Sequence, residues 1–162
     1  IVLLQKEASE TNFKQNAKKY DIVHIATHGL LDEVNPMFSS LLLASDSIQD
    51  GFLSAREIIT LDMNSSLVIL SACETAKGKI SEGEGMIGLS RAFFGATVPT
   101  VIASLWQVDD ESTRLLMEDF HRNLKKMNYA EALQKAQLNL LRNTDYKDPF
   151  FWAPFIILGS AK

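Results

Sequence analysis

The sequence predicts a single α/β domain, a three-layer α/β/α sandwich around a mostly parallel central sheet. Three observations predict it. Short apolar runs of strand length alternate with amphipathic stretches of helix length, the order that covers a sheet on both faces. No internal repeat, low-complexity tract or domain-sized linker breaks that alternation, and 162 residues suit one domain with a sizeable core. Finally, two apolar runs end in residues with chemistry: 22–26 leads into Thr27-His28-Gly29, and 67–71 into Ala72-Cys73-Glu74-Thr75.

The elements follow in order. Residues 1–4 (Ile-Val-Leu-Leu) read as a strand because they form a short, uniformly apolar run. Ser9 or Thr11 suits the cap of a helix to about residue 19. Residues 21–26 form a second strand, and 29–36 a loop with Asn35-Pro36 as its turn signal. Residues 40–44 (Ser-Leu-Leu-Leu-Ala) read as a buried strand, followed by a polar stretch ending in the Asp50-Gly51 turn. Ser54-Ala55-Arg56-Glu57 has the spacing of a capping box, so a short helix runs from there to about residue 60. Residues 67–71 are the central strand, and 77–85 a glycine-rich, charged, exposed loop.

Met86, Leu89, Ala92 and Phe93 mark the stripe of a helix that Gly95 ends. Residues 99–105 are a β-branched run and hence a strand. Asp109 or Asp110 caps a helix whose apolar face is Leu116, Phe120, Leu124 and Met127. After Asn128, the positions Tyr129, Leu133, Ala136 and Leu140 mark another helix. Residues 155–158 close the chain as a strand entered through Pro154, which suits an edge.

Composition narrows the function. The formal charge of −4, with no Lys/Arg run, argues against nucleic acid as a direct partner. No apolar stretch is long enough to span a bilayer, so no membrane partner is expected. The single cysteine cannot form an internal disulfide, which fits a reducing compartment and a cytoplasmic location. The chain opens on an apolar run without Met or a signal peptide, so residues 1–162 read as one domain cut from a longer polypeptide.

Cys73 follows a buried strand, where a thiolate is presented to the crevice at the carboxyl ends of parallel strands. The bland alternative is a small buried hydrophobe. His28, roughly 45 residues upstream, suits a general base for the thiol. Gly29, lacking a Cβ, lets backbone approach a substrate, and its N–H with that of Cys73 suits an oxyanion hole. His24 lies four positions back on the same strand face and reads as a core or supporting histidine. His121 falls on a distant helix, and no metal-ligand spacing is present, so no metal or other cofactor is expected. Trp106 to Asp110 follow a strand and share the same edge. Carboxylates there suit a basic substrate side chain, although Asp109 or Asp110 also suits an ordinary helix cap. Gly83-Glu84-Gly85-Met86-Ile87-Gly88 matches a dinucleotide loop. It starts about a dozen residues after its strand and carries two acids that repel a pyrophosphate, so it is set aside.

The motifs together, residues 21–29 (Asp-Ile-Val-His-Ile-Ala-Thr-His-Gly), 70–75 (Leu-Ser-Ala-Cys-Glu-Thr), Gly83 to Gly85, Ser104 to Asp110 and 151–155 (Phe-Trp-Ala-Pro-Phe), resemble CHAT domains over essentially the whole chain. These are bacterial relatives of caspases and separases, commonly attached to tetratricopeptide repeats. The resemblance implies the caspase-like sandwich and a cysteine endopeptidase with a dyad of His28 and Cys73, the Gly29 and Cys73 amides serving as oxyanion donors. Separases share a Leu-Trp-x-Val-x-Asp stretch that contributes to an arginine pocket. By that match Asp110 faces a basic P1 side chain, with Asp109 in reserve and Trp106 beside them. Metacaspases carry an acid two residues before the cysteine, where this chain has Ser71. The expected partners are a protein or peptide substrate and a regulatory repeat domain upstream or on another protein. The alternative is a non-catalytic, peptide-binding or scaffold module with the same fold.

Overall fold

The computed structural model describes residues 1–32, 34–74, 84–143 and 145–160. Its centre is a six-stranded sheet in the order β3-β2-β1-β4-β5-β6. The strands are β1 (Ile22–Leu30), β2 (Ser40–Leu42), β3 (Phe52–Ser54), β4 (Leu67–Glu74), β5 (Thr100–Ser104) and β6 (Phe155–Gly159). The helices are α1 (Glu10–Asn16), α2 (Ala55–Ile58), α3 (Glu84–Gly95), α4 (Asp110–Asn123), α5 (Tyr129–Asn143) and α6 (Pro149–Trp152).

The sandwich is as expected, but the sheet is mixed and mostly antiparallel. Only β1/β4 and β4/β5 run parallel; β1/β2, β2/β3 and β5/β6 are antiparallel. The cause lies in the connections. No α-helix separates β1 from β2 or β2 from β3, so the chain turns straight back. Between β5 and β6 two long helices, α4 and α5, pack on each other and return the chain to the end it left. Reading every helix as a single crossover overcounts parallel pairs.

Alternation along β4 divides the core. Val68 and Leu70 pack with Leu41, Leu53, Ile58, Leu89 and Phe93 under α2 and α3. Leu67 and Ile69 pack with Ile102, Leu116, Phe120, Leu133, Leu140 and Phe155 under α4 and α5. All five residues of β5 are buried, as a strand covered on both faces requires.

Other boundaries differ from expectation in informative ways. Residues 1–4 join no strand of the sheet, and Ile1, Val2 and Leu4 are exposed. An apolar run becomes a strand only where it pairs, and residues 1–4 pair with neither edge strand, β3 nor β6. β1 runs on to Leu30 instead of ending at residue 26, because β4 pairs with it through Gly29 and β2 takes up Gly29 and Leu30. β3 is three residues long, too short for a periodic signal. Ser9 caps α1, Ser54 and Glu57 form the reciprocal capping box of α2, and β6 lies at the sheet edge. The expected loop at 77–85 and the glycine motif beginning at Gly83 fall mainly outside the described residues.

One polar cluster ties the first helix to the rest. Glu10 is fully buried; its Oε2 accepts from the Gly51 N–H at 2.9 Å, and its Oε1 lies 2.6 Å from Lys14 Nζ. Lys14 also reaches Glu57 at 2.8 Å, joining α1 to the cap of α2. Burial works against the Lys14 ammonium, but its bonds to Glu10 and Glu57 outweigh it and raise the pKa.

Candidate active site

β1 presents two different faces. Ile25 is buried and Val23 packs on the first core, whereas His24, Ala26 and His28 are exposed on the opposite face. The three residues floor an open cleft of about 820 Å³. Ser71 of β4 joins them, and one stripe of α4 forms the wall: Asp110, Thr113, Arg114, Met117, Glu118 and His121. These positions recur every three or four residues, the spacing of one helix face.

His28 and Cys73 meet through the backbone. In the parallel register of β1 and β4, His28 pairs with Cys73 and Gly29 with Glu74. Both candidates stand within strands instead of just past them, held there by the extended pairing. Gly29 is buried and also pairs with Leu41 of β2, so it sits inside the sheet between two neighbours.

The pocket candidates separate. Asp110 lines the cleft at the first turn of α4. Asp109 is the N-cap of that helix and accepts from the Ser112 N–H at 2.9 Å. Trp106 turns toward α6, donating its indole N–H to the Phe150 carbonyl at 3.0 Å. On the wall, Arg114 is clamped by Glu111 at 2.6 Å and Glu118 at 2.5 Å, and Arg122 pairs with Asp119 at 2.9 Å. The bonds to Glu111 and then Glu118 raise the Arg114 pKa further. Those cations are already met by carboxylates, which leaves the wall acidic on balance at Asp110.

The floor carries a contact that spacing in the sequence does not reveal. His24 Nδ1 lies 3.1 Å from His121 Nε2, and His24 Nε2 lies 2.9 Å from Ser71 Oγ. His121, assigned to a distant helix by the sequence, is therefore a near neighbour of β1. The available signal is its place, a multiple of helical repeats from Asp110 on α4. Protein surrounds most of the His24 ring even where it opens on the cleft. That desolvation, reinforced by the charge of His121, lowers its pKa to about 4. Desolvation lowers His121 as well. Among the described residues, no group of three or more His, Cys, Asp or Glu side chains is placed to hold a metal ion. Nor is any described helix long and apolar enough to cross a membrane.

The sandwich and the family match together place the chain in the caspase-like clan. More particularly, the model of the CHAT domain matches residues 1–160, and the chain belongs to that family. Among curated proteins it is similar to "Tetratricopeptide repeat protein 28" of Homo sapiens, 27% identical over 114 residues, and to the protein of that name in Mus musculus, 25% identical over 114 residues. Each match covers 70% of this chain but 5% of the relative, so the chain corresponds to a small part of those proteins.

Proposed function

We propose that this domain is a cysteine endopeptidase of the caspase-like type, cleaving protein substrates after a basic P1 residue. The observation that carries the reading is the register of β1 and β4, in which the His28 and Cys73 backbones are partners beside a cleft floored by His28. Two unrelated uses of the only cysteine and of a cleft histidine would not require that pairing.

In this reading His28 takes the proton of the Cys73 thiol, and the thiolate attacks the scissile carbonyl carbon. As the C–N bond breaks, His28 returns the proton to the leaving amine, and an acyl-enzyme remains on sulfur. Water, deprotonated by His28, then releases the acid and regenerates the thiol. Asp110 receives the guanidinium or ammonium of P1, since the arginines on the same wall are already paired. Ser71 lines the same cleft, whereas Trp106 is held toward α6 by its bond to the Phe150 carbonyl and stands outside the lining. The repeats named in the relatives, together with the habit of the family, support a repeat region of the same polypeptide or a partner as gate, in the cytoplasm.

A peptide library with Arg, Lys, Asp or Asn at P1, run beside Cys73→Ala, tests this. Cleavage after Arg and Lys that disappears in Cys73→Ala is expected. Activity surviving that substitution overturns the nucleophile, preference for Asp overturns the role of Asp110, and binding without cleavage favours a scaffold module.

A further inference from the structure

The chain His121–His24–Ser71 lies on the cleft floor and takes no part in the chemistry above. It ties α4 to the two strands β1 and β4, which are already joined to each other by their backbone ladder. Each of those elements carries one part of the proposed site, Asp110 on α4, His28 on β1 and Cys73 on β4. His24 stands two strand repeats, four residues, before His28, and Ser71 one repeat before Cys73. The chain is thus anchored within a few residues of both strand positions and on the same stripe of α4 as Asp110.

Its hydrogen bonding is directional. A neutral His24 carries one ring proton. If that proton is on Nδ1 it donates to His121, and the Ser71 hydroxyl donates to Nε2. If it is on Nε2 it donates to Ser71, and His121 donates to Nδ1. Either arrangement satisfies both bonds. The contact therefore holds while both rings are neutral. The ring pair is also packed, with centroids 5.3 Å apart, and His121 rests edge-on against Phe120 of the core. The wall is fixed in two directions, by apolar packing behind α4 and by this polar strut in front.

Resting on the peptidase reading, we propose that His121, His24 and Ser71 are positioning residues that set the distance between the Asp110 wall and the two strands bearing His28 and Cys73. A substrate gripped at P1 by Asp110 has its scissile carbonyl delivered to the strand ends only if that distance is held. A wall that shifts weakens the grip on a charged P1 side chain, while the backbone ladder keeps His28 and Cys73 in register.

The test compares His121→Leu, which keeps bulk and loses the polar contact, with His121→Gln, which keeps a donor and an acceptor. Kinetics are measured on matched peptides with Arg or neutral citrulline at P1, and melting temperatures are recorded alongside. For His121→Leu we expect KM for the Arg peptide to rise about tenfold, the size of one misaligned charged contact, with kcat and the citrulline peptide changing by less than about threefold. His121→Gln restores KM to near the native value. Equal KM in native and His121→Leu protein of similar melting temperature overturns the proposal, as does failure of His121→Gln to rescue. If the native chain binds the Arg peptide but does not cut it, the same comparison is made on Kd. In that case the peptidase reading fails, and the positioning role is upheld if Kd splits as KM should and overturned if it does not. If the native chain neither cuts nor binds the peptide, both readings fall.

Discussion

His28 and Cys73, far apart in the chain, are register partners on adjacent parallel strands, so their backbones are neighbours whatever their side chains do. On the peptidase reading, this register brings the two residues together without any loop having to close over them. General acid–base catalysis by one positioned side chain typically contributes a hundredfold or more. His28→Ala is expected to lower kcat/KM on an Arg-P1 peptide by at least about a hundredfold, with little change in melting temperature because His28 is exposed. Alkylation of Cys73 by iodoacetamide, followed by mass, should slow in the same variant.

Asp109 and Asp110 are adjacent in sequence and separate in role. Asp109→Ala removes the cap of α4 and should cost about 1 kcal/mol of stability, read in urea unfolding, with P1 preference intact. Asp110→Asn should leave stability nearly unchanged and raise KM for Arg-P1 peptides about tenfold or more, the worth of one hydrogen bond to a charged group. Reversal of the two phenotypes would exchange the assignments.

Removing Lys14 strands a buried carboxylate. Lys14→Met leaves Glu10 with the Gly51 amide alone, and a loss of about 3 kcal/mol is expected in chemical unfolding. Lys14→Met combined with Glu10→Gln should recover part of that loss, since no buried charge then lacks its counter-ion.

The imidazole pair also predicts an acid limb of stability. The folded His24 pKa is about 4 and the ordinary value is 6.5, so below 6.5 the unfolded chain takes up a proton that the folded chain refuses. Stability therefore falls as pH drops from 6.5 toward 4, and that loss is complete near the lower value. Glu57 titrates in a different window. Burial opposes its charge, but the bond from Lys14 and those from Ser54 prevail and hold its pKa at about 2, so its contribution is lost progressively as pH falls from 4.5 toward 2. Melting curves at pH 7 and 4.5 should differ less in His24→Gln than in the native chain.

Gly159 holds φ +90°, and a Cβ there would stand 2.3 Å from the Pro99 carbonyl oxygen. Gly159→Ala should destabilise the β5/β6 edge by more than about 1 kcal/mol, visible as a lowered melting temperature.

Much of this was legible in the residues themselves. The capping box at Ser54, the caps at Ser9 and Asp109, and the long helices of α4 and α5 have local signals that survive into the fold. The alternation of His24, Ala26 and His28 against Val23 and Ile25 marks one polar face of β1 before any partner is known. Strand direction was not legible, because it depends on whether one helix or two intervene and on which edge is free. Residues 1–4 are as apolar as a strand yet pair with neither edge of the sheet. The bond from His121 to His24 was invisible for a related reason: it spans elements whose packing is set by α4 lying across the sheet, not by any spacing along the chain.

The pairing of β1 with β4 has a consequence for how the protein comes into being. Two strands so distant in sequence meet only after the long intervening chain has closed, a late and cooperative step compared with forming a local helix. Before that step His28 and Cys73 are not neighbours, so on the proposed reading a nascent, truncated or thermally opened chain lacks the assembled site. Folding would then be the first checkpoint on that activity, ahead of any outside gate.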